Sequence, residues 1–323
     1  MKAGQHRAAI GQPLLCLAEW LSALRATTTV AVGPLRMVRI AGYPYGPDAT
    51  FLDEALTNGQ STVTEVTAGG MVAQVRVAHH GPLPLLLVDG EQILGAKQNR
   101  MINASFLIGA GQVVNVPVSC VERGRWRGES VSFASSETTV AVTARAAKLR
   151  RLQMSLSRGR GHNADQEAVW RDVDDYLRRT RIPSASAAFD DGYRGRRHQS
   201  EPALSLFAPA PGQLGVAFVP GDSLAGLDLF GSPTLYARGW TKVARGALAE
   251  VYETIEPPAE NDALSLVQAA LDAMAGSAPE HSSAPGIGST VHGAAGTIAF
   301  TGVVLDDVLY HALATSSDAD SAQ

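Results

Sequence analysis

LLLVDGEQILGAKQNRMINASFLIGAGQVVNVPVSC, residues 85–120, is the stretch whose reading decides the fold of the first half of this chain. The apolar run Leu85-Leu86-Leu87-Val88 reads as a buried strand. Asp89-Gly90 then reads as a tight hairpin turn, with residues 91–94 returning from it. Residues 101–108 and 112–121 flank Gly109-Ala110-Gly111, which predicts a second hairpin. In its last strand Val114, Val116, Val118 and Cys120 share one face, because side chains alternate. Pro117 has no amide donor and predicts an edge or a bulge there. Between these hairpins Glu91, Lys97, Gln98, Asn99 and Arg100 concentrate polar chemistry beside a core strand.

Outward from this stretch, TVTEV at 62–66 and MVAQVRV at 71–77 alternate with period two around the turn Gly69-Gly70. Residues 29–32 and 37–41 add two short apolar strands. A brief helix is predicted at FLDEAL, headed by the capping-box pattern Thr50 to Asp53 and stopped by Asn58-Gly59. Residues 136–157 then carry Val142, Leu149, Leu152 and Leu156 at helical spacing, with Arg145, Lys148, Arg150 and Arg151 on the other face. A second helix has an Asn163-Ala164-Asp165-Gln166 start, the apolar stripe Trp170, Val173 and Leu177, and a basic last turn at 178–181 before Pro183. Residues 184–212 lack periodicity and read as a loop. Strands at 214–219 and 224–230 follow, then a helix from Ser232-Pro233 to about Tyr252 and another from Asn261 through Met274. A Gly/Ser/Pro linker leads to final strands at 290–300 and 308–314.

The predicted class is therefore α+β: an antiparallel β-rich N-terminal part, a helical middle, and strands returning in the C-terminal part. The expected organisation is a leader at 1–28, a body at 29–315 (β-rich 29–135, helical 136–182, loop 183–212, α/β part 213–315) and a disordered tail at 316–323. The leader begins with basic residues and an apolar stretch, but Pro13 and Glu19 break it and no small-residue cleavage site follows.

With 323 residues, 45% hydrophobic and 18% charged, the composition is that of a soluble globular protein. A net charge of -4 disfavours an obligate nucleic-acid binder, which needs a basic surface. The run Arg194-Gly195-Arg196-Arg197-His198 reads as solvated loop charge. Cys16 and Cys120 are too few for a disulfide framework or a cysteine metal site, so no metal is expected and a cytoplasmic location is the simplest reading. No run reaches the roughly 18 apolar residues of a membrane helix. No GxGxxG opening a helix, Walker motif, HExxH or GxSxG is present, which disfavours the standard cofactor folds and leaves the cofactor undefined.

Two readings of the polar cluster stay open. If Gly95-Ala96 breaks strand alternation, Lys97, Gln98, Asn99 and Arg100 converge, and Arg100 forks onto a phosphate or carboxylate. Arg125 offers a second anion clamp and Trp126 a stacking face for a base. Glu91 and Glu122 are the candidate acid-base residues. In the structural reading the same residues stitch hairpins together and Trp126 caps the core. Cys120, on an apolar face, reads as an inert core thiol, and His292 and His311 as hydrogen-bonded structural histidines.

The blocks TFLDEAL, TEVTAGG, LLLVDGEQILGAKQNRMIN, VPVSCVERGRW, DQEAVWRDVD and QLGVAF…GLDLFGSPTLYARGW occur in the same order in a poorly characterised family, which the chain resembles from about residue 29 to 314. It is named as the ADP-ribosylglycohydrolase and rhodanese-phosphatase associated protein domain. That resemblance implies an association with ADP-ribose and NAD-linked processing and states no activity. The expectation it supports is binding, and hydrolytic processing if chemistry occurs, of an ADP-ribose-containing or related nucleotide ligand. The competing expectation is a noncatalytic interaction scaffold that recruits a protein partner.

Overall fold

Trp20, Leu21 and Leu24 are already core residues, packed with Val267, Leu271 and Met274 from a helix some 245 positions later. The computed structural model describes residues 16–44, 46–67, 69–128, 130–250 and 262–317. The folded body thus includes α1 (Leu17–Ser22), where a leader is expected up to residue 28, and its first strand opens at Arg25. An aromatic and two leucines on one side of a short helix provide the reason: burying them is worth roughly 1.5–3 kcal/mol each. Residues 1–15 of the expected leader and 318–323 of the expected tail lie outside the described residues.

The chain continues through β1 (Arg25–Val32), β2 (Leu35–Ala41), β3 (Thr50–Phe51), α2 (Leu52–Thr57), β4 (Ser61–Glu65), β5 (Gln74–His79) and β6 (Leu85–Leu87). β7 (Glu91–Gly95), β8 (Arg100–Ile102), β9 (Phe106–Ile108), β10 (Val113–Cys120) and β11 (Phe133–Thr139) complete the β-rich part. Three helices follow, α3 (Val142–Ser157), α4 (Gln166–Thr180) and α5 (Phe189–Leu204). The remainder is β12 (Gln213–Pro220), β13 (Gly226–Phe230), α6 (Pro233–Leu248), α7 (Ala263–Ala275), β14 (Glu280–Ser283), β15 (Ser289–Ala295), β16 (Ile298–Leu305) and β17 (Val308–Ser316). The class is α+β, with strands, then helices, then strands again.

Residues 85–120 do not form two simple hairpins. β6 pairs with β9, and with β3 in parallel, in a three-stranded sheet. β7 pairs with β8 and β11 in a six-stranded sheet of order β11-β7-β8-β10-β5-β4. Asp89-Gly90 therefore carries the chain from one sheet into another. Gly90 is needed there: its φ is +73°, and a Cβ would lie 2.8 Å from the Arg145 side chain. Pro117 sits where β10 hands its pairing from β5 (Val113 to Pro117) to β8 (Val118 to Cys120). The missing donor is tolerated because the ladder changes partner at that point.

The six-stranded sheet curls until Thr64 of β4 bridges Ser132, just ahead of β11, giving an almost closed barrel. Val63, Val75, Val77, Ile93, Val116 and Phe133 fill it. The third sheet is antiparallel, eight strands in the order β1-β2-β12-β13-β17-β16-β15-β14, with α1 and α7 on one face and α6 on the other. The apolar turn-free stretch expected as one strand at 290–300 is the β15–β16 hairpin, turning at Gly296 with φ +59°. β14 falls in the expected linker.

The helical part corrects two expectations. Residues 136–139 belong to β11, so α3 begins at Val142. Residues 189–204, expected as loop, form α5. Its glycines hide the helical pattern because they are contact points: a Cβ on Gly192 would sit 2.4 Å from the Tyr176 ring and one on Gly195 2.8 Å from Ile182. Tyr176 stacks on Phe189 at 4.0 Å between centroids. The α4 start is as the sequence predicts, with the Asp165 carboxylate accepting from the Ala168 amide, a cap worth about 1 kcal/mol.

Candidate functional site

One end of the barrel gathers the β4–β5 connection, the β7–β8 turn, the end of β10 and the approach to β11. In the β7–β8 turn Gly95 and Ala96 have φ of +113° and +44°, so strand alternation breaks where the sequence suggests. The residues that follow separate into two groups.

The first group is a knot. Arg125 donates from Nε to Glu122 Oε1 at 2.8 Å and from Nη2 to Glu122 Oε2 at 2.6 Å. Its Nη1 reaches the Ala96 carbonyl at 2.8 Å and its Nη2 the Asn99 side-chain oxygen at 3.0 Å. Asn99 in turn donates its amide N–H to Glu122, and its side-chain oxygen accepts from Gly95 N–H, both at 3.0 Å. Burial alone would lift the Glu122 carboxyl, but hydrogen bonds from Arg125, Asn99 N–H and Ser186 outweigh it and hold the group below the usual carboxylate range. Such a carboxylate is a weak proton acceptor. Glu122, Asn99 and Arg125 brace the turn.

The second group faces the mouth. Arg100 is fully buried; its Nη1 donates to the Gln98 side chain at 2.9 Å, while Nε and Nη2 meet no hydrogen-bonding oxygen. Nη2 lies 3.7 Å from Glu65 Oε1, and Glu65 Oε2 is also unpaired. The Trp126 ring, 49% exposed, covers both cations, with Arg100 and Lys97 each 5.6 Å from its centroid. Lys97 Nζ donates to the Gly69 carbonyl at 2.8 Å. A shallow cavity of about 340 Å³ opens beside them, lined by Thr64, Glu65, Thr67, Lys97, Ser130 and Val131 among others. Met71, Val72 and Val131 are exposed around it. Cys120, paired across strands with Arg100, is buried, and burial pushes its thiol up to about 11 against the pull of the Arg100 charge. It is an inert thiol at neutral pH.

Glu91 is elsewhere. It is fully buried, accepts from Val88 N–H at 3.1 Å and pairs with Lys242 of α6, which also holds Asp53 at 2.8 Å. Burial lifts the Glu91 carboxyl above its usual range despite Lys242.

A further buried network escapes a reading by sequence. Arg145 and Lys148, expected on the polar face of their helix, are 1% and 0% exposed. Arg145 forks onto Asp228 at 2.9 and 2.6 Å, and Lys148 reaches Asp89 and the Asn103 carbonyl, both at 2.5 Å. His311 lies 3.1 Å from Asp228 through Nε2 and 2.7 Å from Ser105 Oγ through Nδ1. Ser105 Oγ also accepts from Asp89 N–H at 3.0 Å; with His311 donating Nε2–H to Asp228, its Nδ1 is left to accept the Ser105 hydroxyl. The order Ser105, His311, Asp228 has the form of a catalytic relay, yet all three are buried and both Asp228 oxygens are held by Arg145. Two acids face two basic side chains, which makes the network a tie between the β-rich part, α3 and the eight-stranded sheet. The sequence signals were an Asp within GLDLF and a His within VLYHALA.

His162, bonded to Thr290 at 2.8 Å, gives a pH prediction. Burial, with help from His292 and Lys148, pushes its pKa down from 6.5 to about 4. A folded value below the unfolded one means that the unfolded chain binds the extra proton between these limits. This contribution is therefore fully present above pH ~6.5 and lost as pH falls towards ~4, about 3 kcal/mol in all. Urea unfolding across that window checks it, and His162→Gln should flatten the slope; an unchanged slope would rule the assignment out.

Among the described residues no group of three or more His, Cys, Asp or Glu is placed to hold a metal, and no helix is long and apolar enough to cross a membrane. Fold and site define an α+β protein in which, at one end of a barrel, a half-exposed indole covers a buried arginine beside a shallow cavity. A family model described as the ARG and Rhodanese-Phosphatase-superfamily-associated Protein domain matches residues 23–315, and the chain belongs to that family. No curated protein and no solved structure matches it.

Proposed function

We propose that this protein binds an anionic ligand carrying an aromatic ring, of the ADP-ribose or related nucleotide class, at the barrel mouth formed by Lys97, Gln98, Arg100 and Trp126. The observation that carries this reading is Arg100: a buried guanidinium with two nitrogens lacking hydrogen-bonding oxygens, beneath an indole. A buried donor left unsatisfied costs about 1–3 kcal/mol, more when charged, and an anion would supply the missing acceptors. Trp126 offers its face to a base, and Lys97 adds a second charge at the rim. The ligand class comes from the family's name and the anionic, aromatic character from the residues. Asn99, Arg125 and Glu122 support the mouth from behind. Glu91 is fully buried and paired with Lys242, so the reading is one of binding, and hydrolysis would need another base.

The test separates site from scaffold. Arg100→Met combined with Glu65→Gln removes both partners of the buried ion pair, so thermal stability is expected to hold, while calorimetric affinity for ADP-ribose or NAD is lost. Trp126→Ala should weaken binding by about 1–3 kcal/mol, roughly tenfold or more, with the melting temperature nearly unchanged. Unfolding of the Arg100→Met/Glu65→Gln variant, or binding that survives both it and Trp126→Ala, would sink the assignment.

A further inference from the structure

The barrel mouth holds two arginine–glutamate pairs of opposite character. Arg125 and Glu122 close on each other at 2.6 Å and form the knot behind the turn. Arg100 and Glu65 do not close. Both come from the inner face of the barrel: Glu65 follows Val63 by two residues on β4 and Arg100 precedes Ile102 by two on β8, and these apolar neighbours belong to the barrel filling. Glu65 Oε1 nevertheless stays 3.7 Å from Arg100 Nη2, beyond hydrogen-bond length, and accepts a long bond from Lys97 N–H at 3.4 Å. Glu65 Oε2, Arg100 Nε and Arg100 Nη2 meet no hydrogen-bond partner. Glu65, its side chain 12% exposed, also lines the cavity. Opposite charges held at this spacing beside a cavity select for a group that serves both at once.

We infer that this pair reads a sugar hydroxyl, and that Glu65 makes the mouth specific for a ribonucleotide over its deoxy form; the inference rests on the nucleotide reading above. A hydroxyl accepts from a guanidinium and donates to a carboxylate through one oxygen. Two hydrogen bonds of about 2.7–2.9 Å meeting at that oxygen span the 3.7 Å between Glu65 and Arg100 with a bend between them. A phosphate oxygen in the same place would accept from Arg100 but face the Glu65 charge with no proton to give, and an ammonium would meet the reverse conflict. The phosphate is therefore left to Arg100 Nε and to Lys97 at the rim. Trp126 lies over Arg100, so the sugar nearest the pair is the one attached to the stacked base. An acidic side chain on a ribose hydroxyl is a recurring device of nucleotide recognition.

Calorimetry of the full chain with AMP, 2′-deoxy-AMP and 3′-deoxy-AMP tests it. The wild type is expected to bind AMP and to bind at least one of the deoxy forms roughly ten- to a hundredfold more weakly, the usual worth of a hydrogen bond to a charged group. Glu65→Asp keeps the charge beside Arg100 but withdraws its oxygens by one methylene. In that variant, its fold checked by circular dichroism, AMP and the same deoxy form should bind within about threefold of each other. Equal affinity of the wild type for all three nucleotides would overturn the inference and leave the nucleotide site standing. Discrimination undiminished in Glu65→Asp would do the same, placing the hydroxyl elsewhere. Failure of both AMP and ADP-ribose to bind the wild type would overturn the site and the inference together.

Discussion

Asp228→Asn is expected to destabilise the protein by about 3–5 kcal/mol, because it leaves the Arg145 guanidinium buried without its counter-charge. Asp228 and Arg145 are 0% and 1% exposed, so water cannot replace the lost carboxylate without opening the core. The same change leaves one side-chain oxygen where Arg145 and His311 drew on two, and sets an NH2 donor against the guanidinium. Chemical denaturation checks the size, and a loss within about 0.5 kcal/mol of wild type would show that Asp228 is not the counter-ion. Asp228→Leu combined with Arg145→Met should recover much of the loss, since replacing both partners of a buried pair by apolar groups is often nearly neutral. Burial opposes ionisation of Asp228, but Arg145 and His311 prevail and hold it below the ordinary carboxylate range. Its stabilisation is thus present above the unfolded carboxylate pKa and lost as pH falls through the folded one.

The second large effect concerns the mouth. Arg125→Met should cost about 3–5 kcal/mol, comparable to breaking other buried pairs, because Glu122 is left charged at 5% exposure. The carbonyls of Gly95 and Ala96 lose their donor as well, so the β7–β8 turn loosens. Hydrogen exchange should report faster opening of residues 95–100, and ligand affinity should fall with it. Arg100→Met combined with Glu65→Gln, which removes both partners of its ion pair, is predicted to do the reverse, keeping stability and losing affinity. The contrast between Arg100 on β8 and Arg125 beyond the end of β10 is the sharpest test of the division between site and support. Equal stability losses in both would make the mouth a structural element throughout.

Much of this was legible from residues alone. The period-two runs around Gly69-Gly70 became β4 and β5, and the capped, striped segment after Asn163 became α4. The break at Gly95-Ala96 is where alternation fails. Cys120 is buried as its apolar face implied, and His311 is a bonded core histidine. The concentration of Lys97 through Arg100 beside a strand falls in the β7–β8 turn and the start of β8, at one end of the barrel. It did not reveal that Arg125 turns inward to Glu122 while Arg100 lies under Trp126, nor that Glu65, from a strand thirty residues earlier, faces Arg100.

Local patterns are written in nearest-neighbour terms, and here they determined the strands, the capped helices and the α+β order. Tertiary structure decided what distant segments do to one another. Gly192 marks a helix crossing because Tyr176 leaves no space for a Cβ, although in sequence the same glycine looks like a breaker. Arg145 and Lys148 are core residues because Asp228 and Asp89 arrive from other elements to neutralise them. A buried charge is stable only with its partner, and the partner's position is set by the fold.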